Sequence, residues 1–328
     1  MTTAMLSNGS RVEAQGIPPR CTAAGRGAPT PRSALGTPGP QPACSPADQP
    51  RCPRRYIYCL VDCDAPAGLG SPPPYIAAGC PFGPMGIEGN SEVFAVAHDS
   101  VAAVVSATSA EKLEISRGNT LAHQRVMETV MQRGHTVLPV KFNTIAEDKG
   151  RKSAEERIVD HVLVGRNKEI VGLLSTMRPL VELGVKGLWT DMEAVFRNIV
   201  DGSQEIQSLR KKLLATTGPG TAGRRPVNMT GQIRLGELVK KALEARKCDM
   251  EASLLGRLAP LAKDSRLNKT FGDPMFANLA ILVDKSRQND VVAALSAFEA
   301  QQAGKVKLRC VGPLPPCNFL ELVITWDD

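Results

Sequence analysis

Apolar and polar positions change rhythm several times along the 328 residues, and each change marks an element. The run Tyr56-Ile57-Tyr58-Cys59-Leu60-Val61 joins aromatic and β-branched residues between Pro53 and Pro66, which predicts a short strand. Residues 64–84, rich in Pro and Gly, predict a surface loop. Two apolar runs, 93–96 and 101–105, flank His98-Asp99-Ser100 and predict a β-hairpin. From Asn119, Ala122, Val126 and Val130 recur four apart beside Met127 and Met131, so a helix is expected up to Gly134. His135 to Val140 reads as a strand, and Pro139, with no N–H to donate, puts that strand at an edge. Ser153 followed by Glu156 resembles a capping box opening a helix to about Met177.

The pattern restarts at Val181, where apolar residues alternate with polar or small ones to Trp189, as in a half-buried strand. Helical stretches are expected at 191–216 and 232–258. Met192, Phe196, Ile199, Ile206, Leu209 and Leu213 form the seam of the first, and Leu238, Ala242, Ala245, Ala252 and Leu255 that of the second. An antiparallel hairpin across the Gly/Pro/Arg loop at 218–226 would bury both. Strands at 265–271, 279–283 and 306–311 with a helix at 289–302 complete the order β-α-β-β-α-β of a ferredoxin-like unit. Residues 319–324 are a candidate final strand. The expected class is α+β in two domains, 54–178 and ferredoxin-like 179–328, the latter carrying the helical hairpin 191–258.

Composition changes the picture mainly ahead of residue 54. Residues 1–53 hold ten prolines and almost no large apolar side chains, too little burial to offset backbone ordering, so a disordered tail is expected. Seven arginines against Glu13 and Asp48 give residues 1–55 a charge of +5, out of +7 for the chain. The nearly neutral body has little electrostatic drive toward phosphate. No apolar run reaches the ~20 residues of a membrane helix and the first thirty residues carry no apolar block like that of a secretory signal, so a cytoplasmic protein with reduced thiols is expected.

Candidate chemistry is sparse. Cys52, Cys59, Cys63 and Cys80 suggest a zinc site, but in an extended strand Cys59 and Cys63 stand ~13 Å apart, beyond the ~4 Å that shared ligation requires. Free thiols and no cofactor are the expectation. His98, His123, His135 and His161 fall on separate elements, and no HExxH, GxSxG or P-loop motif is present. His123, one turn before Met127, reads as a histidine flanking the core. An RNA-binding ferredoxin-like module would display aromatic residues on its central strands, and 279–283 has none.

Three segments resemble the gas-vesicle accessory family GvpF/GvpL. They are Ala122-His123-Gln124-Arg125-Val126 leading into Thr136-Val137-Leu138-Pro139-Val140-Lys141-Phe142-Asn143-Thr144; Val181-Glu182-Leu183-Gly184-Val185-Lys186; and Val311-Gly312-Pro313-Leu314-Pro315-Pro316-Cys317-Asn318-Phe319. The resemblance spans about 54–325. Gln124, Asn143 and Cys317 depart from it, standing where Glu, Gly and Tyr are usual. It implies a non-enzymatic protein that helps assemble the vesicle shell, contacts the hydrophobic major shell protein and other gas-vesicle accessory proteins, and sits with gas vesicles in the cytoplasm. Candidate partner-binding residues are Val137, Leu138, Pro139, Val140 and Phe142 at the strand edge, and Gly312, Pro313, Pro315 and Pro316 after the last strand. The rival reading is a nucleic-acid-binding module.

Overall fold

The computed structural model describes residues 53–63, 78–89, 91–216 and 229–326. The expected tail before Pro53, residues 64–77 of the loop read at 64–84, and the loop read at 218–226 lie outside these residues; the end of the first loop is instead a short strand at Pro81–Pro84, paired at the sheet edge. Mixed α+β structure with two antiparallel sheets is what the described residues build.

The first sheet holds β1 (Arg54–Asp62), β2 (Pro81–Pro84), β3 (Glu92–His98), β4 (Val101–Thr108), β5 (Val137–Pro139) and β6 (Ile145–Glu147). Its order is β2-β3-β4-β1-β5, with β6 also paired to β1. β1 is a continuous apolar run because both of its faces are covered. Tyr56, Tyr58 and Val61 meet Val126, Met127 and Val130 of α1 (Arg117–Gln132). Ile57 and Leu60 meet Ile158, Val162 and Ile170 on the other side. A register shift against β4 between Ile57 and Cys59 lets Tyr58 and Cys59 join the same core layer although they are adjacent in sequence. The hairpin turns at Asp99-Ser100, with Asp99 at φ 51°, a conformation Asp tolerates.

Ser153 and Glu156 close a reciprocal capping box. The helix they open is not continuous to 177, however. After α2 (Ala154–Arg157) comes a π-helical turn, Ile158–Val164, and α3 (Asn167–Met177) follows a break at Gly165-Arg166. The wider turn keeps Ile158, Val162 and Leu163 all facing the sheet, which 3.6-residue spacing would not.

In the second sheet, β7 (Leu180–Trp189), β8 (Ala262–Leu267), β9 (Met275–Asp284) and β10 (Val306–Leu314) lie in the order β10-β7-β9-β8, every pair antiparallel. α4 (Met192–Asp201), α5 (Gln204–Thr216), α6 (Met229–Leu258) and α7 (Gln288–Gln301) contribute the helical part of its core. The expected helix 191–216 is thus two, divided at Gly202-Ser203. The expected α6 seam is also displaced: Ala245 and Ala252 are exposed, whereas Leu243, Lys247, Leu254 and Leu258 are buried. That seam assumed α5 as the partner, but the later turns of α6 pack in the core formed with β9. β8 starts at Ala262, three residues early, and Phe271 is exposed in the turn before β9.

Beyond β10 the chain does not stay with the second sheet. Leu314 pairs with Glu182, and residues 315–326 then cross to the first sheet as a strap. Leu322 N donates to Pro139 O (2.8 Å), and Lys141 N donates to Leu322 O (2.9 Å). Leu320, Leu322, Ile324 and Trp326 alternate into the first core while Glu321, Val323 and Thr325 face out. His161 donates to Thr325 O (2.7 Å), Arg166 donates to Val323 O (2.9 Å), and the Arg157 guanidinium sits 5.2 Å from the Trp326 ring centre. The candidate strand 319–324 is therefore a single-bridge strap, and residues assigned by sequence to the second domain complete the first core. The described residues make one compact unit. Among them, no helix is long and apolar enough to cross a membrane.

Candidate functional site

α1, the segment after β5, β7 and the start of the strap enclose a cleft of about 290 Å³. The Ser116 side chain caps α1 by accepting from Asn119 N (3.1 Å), and helical spacing then turns Thr120, His123, Gln124 and Met127 toward the cleft. Pro139, Val140 and Phe142 form the next wall. Glu182 enters from β7, and Leu314, Pro315, Cys317, Asn318, Leu320 and Glu321 close the ring.

His123 holds two of these walls together. Asn143 N donates to Tyr56 Oη (3.2 Å), Tyr56 Oη donates to His123 Nδ1 (3.0 Å), and the imidazole in turn bonds the Val140 backbone. Each group is satisfied with a neutral ring, and burial lowers the His123 pKa to about 4, against a smaller upward pull from the Val140 bond. Burial likewise raises the pKa values of Tyr56 and Tyr58. Asn143 takes φ 69°, the left-handed region open to Gly and Asn, and its amide both accepts from Leu113 N and donates to Leu113 O (2.8 Å each). The departure from Gly at this position is thereby accounted for. Gln124 donates to Glu128 (2.7 Å), where a Glu would meet like charge.

Glu182 is 2% exposed. Asn318 N donates to one carboxylate oxygen (2.9 Å) and Asn318 Nδ2 to the other. Burial raises the Glu182 pKa, and the two Asn318 bonds oppose that rise. Gly312 lets the end of β10 lie close against β7 beside this carboxylate: a Cβ there would lie 2.6 Å from Leu183 Cδ2.

Of the residues singled out from sequence, Pro139, Val140, Phe142 and Pro315 line the cleft. Val137 and Leu138 instead belong to the two core layers of the first sheet, and the edge at Pro139 is taken up by the strap. As folded, that edge offers a partner no free ladder. Gly312 and Pro313 are exposed on β10, and Pro316 is buried. Glu182 and Asn318 were not singled out, since their pairing across 136 residues leaves no local trace.

The remaining chemical groups are dispersed. Asp62, buried at the end of β1, accepts from Thr136 N (3.0 Å) and from Arg178 (3.2 Å), with His135 Nδ1 at 4.0 Å. This cluster ties the first sheet to the entry of β7. Cys59 and Cys63 are buried in the first-sheet core, and Cys80 is half-buried. Among the described residues, no group of three or more His, Cys, Asp or Glu is placed to hold a metal ion.

The profile of the gas vesicle synthesis proteins GvpL/GvpF matches residues 54–321. Gas vesicle protein F of Microcystis aeruginosa (strain PCC 7806) is 23% identical over 71% of this chain and 90% of its own length. Gas vesicle protein L1 of Halobacterium salinarum is 23% identical over 81% of this chain and 89% of its own. The crystal structure of the gas vesicle protein GvpF from Anabaena sp. PCC7120 superposes with a TM-score of 0.60 at 20% identity, covering 82% of this chain and 99% of that one. With a match across both sheets and all four walls of the cleft, the chain belongs to the GvpL/GvpF family of gas vesicle synthesis proteins.

Proposed function

We propose that this protein is a non-enzymatic assembly factor of gas vesicles that contacts the hydrophobic major shell protein in the cytoplasm, alongside other accessory proteins. The observation that carries this reading is the family match over residues 54–321. We read the second sheet as ferredoxin-like, since its order by sequence position is fourth, first, third, second, with helices on the connections. Apolar surface supports contact with an apolar partner. Leu214, Met229 and Ile233, 60–66% exposed, stand at the ends of α5 and α6 that flank residues 217–228. A shell subunit with a water-repelling face needs such contacts before it joins the wall.

The test is binding of the full chain to purified shell protein at 50 and 200 mM salt. Hydrophobic association predicts little change over this range and clear weakening by Leu214→Asp or Ile233→Asp, with the fold intact by circular dichroism. Absence of binding, together with RNA binding that falls on the order of a thousandfold between these salt concentrations, would reject assembly in favour of a nucleic-acid module.

A further inference from the structure

The cleft is largely apolar, its neutral polar lining is Thr120, His123, Gln124 and Asn318, and its charged lining groups are of one sign. Met127, Val140, Phe142, Leu314 and Leu320 supply the walls. Glu182 is set into one of them and Glu321 stands exposed at the rim, while no Lys or Arg lines the space. Asn318 occupies one acceptor position on each Glu182 oxygen and fixes the carboxylate plane. A carboxylate has about four lone-pair positions, so each oxygen can accept again. The matching group is apolar along a stem, positive at its end and able to donate in a plane.

We propose that this cleft receives an arginine side chain from a partner polypeptide, its methylenes against Met127 and Leu320 and its guanidinium between Glu182 and Glu321. Arginine fits better than lysine because the planar fork matches a fixed carboxylate and a guanidinium is the more weakly hydrated ion. Phe142 adds an aromatic wall suited to the same cation. The volume, about 290 Å³, lies at the low end for small-molecule sites and suits one inserted side chain. The inference does not depend on the gas-vesicle reading, because charge and shape in this one chain carry it.

The experiment uses the full chain with ¹³C-methyl-labelled methionine. The probe is the tripeptide acetyl-Gly-Arg-Gly-amide, with citrulline and lysine versions for comparison. The arginine peptide is expected to shift the Met127 methyl signal saturably, and the uncharged citrulline peptide to bind about tenfold more weakly. Exposed Glu321→Gln is expected to weaken the arginine peptide about threefold without disturbing the fold, and buried Glu182→Gln to weaken it further. No saturable Met127 response, equal binding of arginine and citrulline peptides, or indifference to Glu321→Gln would each overturn the proposal. Tighter binding of the lysine peptide would overturn the choice of arginine.

Discussion

Acidification should draw stability from this protein through His123 before its carboxylates of lowered pKa titrate. In the folded state its pKa is lowered to about 4, whereas an unfolded chain offers an ordinary imidazole near 6.5. Above pH 6.5 the ring is neutral in both states, so its buried position carries no penalty. As pH falls through 6.5 the unfolded chain takes up a proton that the folded one refuses, and stability is lost progressively toward pH 4. Between pH 7 and pH 5 the loss from this residue is about 2 kcal/mol. His135, also lowered by burial, acts in the same direction. Glu88 and Glu169, whose pKa values are lowered, act only below about pH 4.5. Glu182 and Glu251, whose pKa values are raised by burial, add stability as pH falls and oppose the histidines, so His123 is isolated by comparing wild type with His123→Gln, between which the carboxylate contributions cancel. The assay is urea unfolding of wild type and His123→Gln at pH 7, 6 and 5, with the imidazole titration followed by NMR. His123→Gln should be less stable at pH 7 but lose about 2 kcal/mol less on going to pH 5. A His123 titration midpoint at 6 or above, or equal pH dependence in the two proteins, would refute the relay from Asn143 through Tyr56.

Leu322→Ala removes a 4%-exposed side chain that anchors the strap, and should cost about 2–4 kcal/mol, seen as a lower unfolding midpoint and faster hydrogen exchange at Lys141 N. Gly312→Ala should cost about 1–3 kcal/mol in denaturant unfolding, because its Cβ would press on Leu183 at 2.6 Å. Lys247→Met should leave stability within about 1 kcal/mol: the buried ammonium, bonded to Gly272 O at 3.2 Å and to the exposed Glu244 carboxylate at 3.4 Å, gives up both contacts but also sheds its desolvation cost. A loss above 3 kcal/mol there would show the ammonium to be a net stabiliser.

Local chemistry was legible from sequence wherever it decided the outcome. The Ser153–Glu156 box, the turn at Asp99-Ser100 and the apolar run of β1 each announced their element because neighbours in sequence are neighbours in space. Glu182 shows where this stops. Alternation along β7 places it opposite Val181 and Leu183, hence toward solvent, yet Asn318 covers that face. The strap failed for the same reason: a period-two run after two prolines predicts a strand but not which sheet it will reach. The break at Gly202 and the π turn reflect the geometry of the cores they enter, which helical periodicity does not contain. Of the cleft, the sequence offered Pro139, Val140, Phe142 and Pro315, but not the carboxylate that gives it a sign.

The strap also imposes an order of events on synthesis. Val140 and Leu322 are bridged in the finished fold, but 182 residues separate them in the sequence. At about 5–20 residues per second, a ribosome needs roughly ten to forty seconds to travel from one to the other. For most of that interval, once β6 and α3 have been made, the six strands of the first sheet exist without Leu322, Ile324 and Trp326, so the β5 edge and the apolar seat beneath the strap stand open. The nascent chain is thus most exposed to mispairing after its first core has formed, and that hazard ends only when the strap arrives.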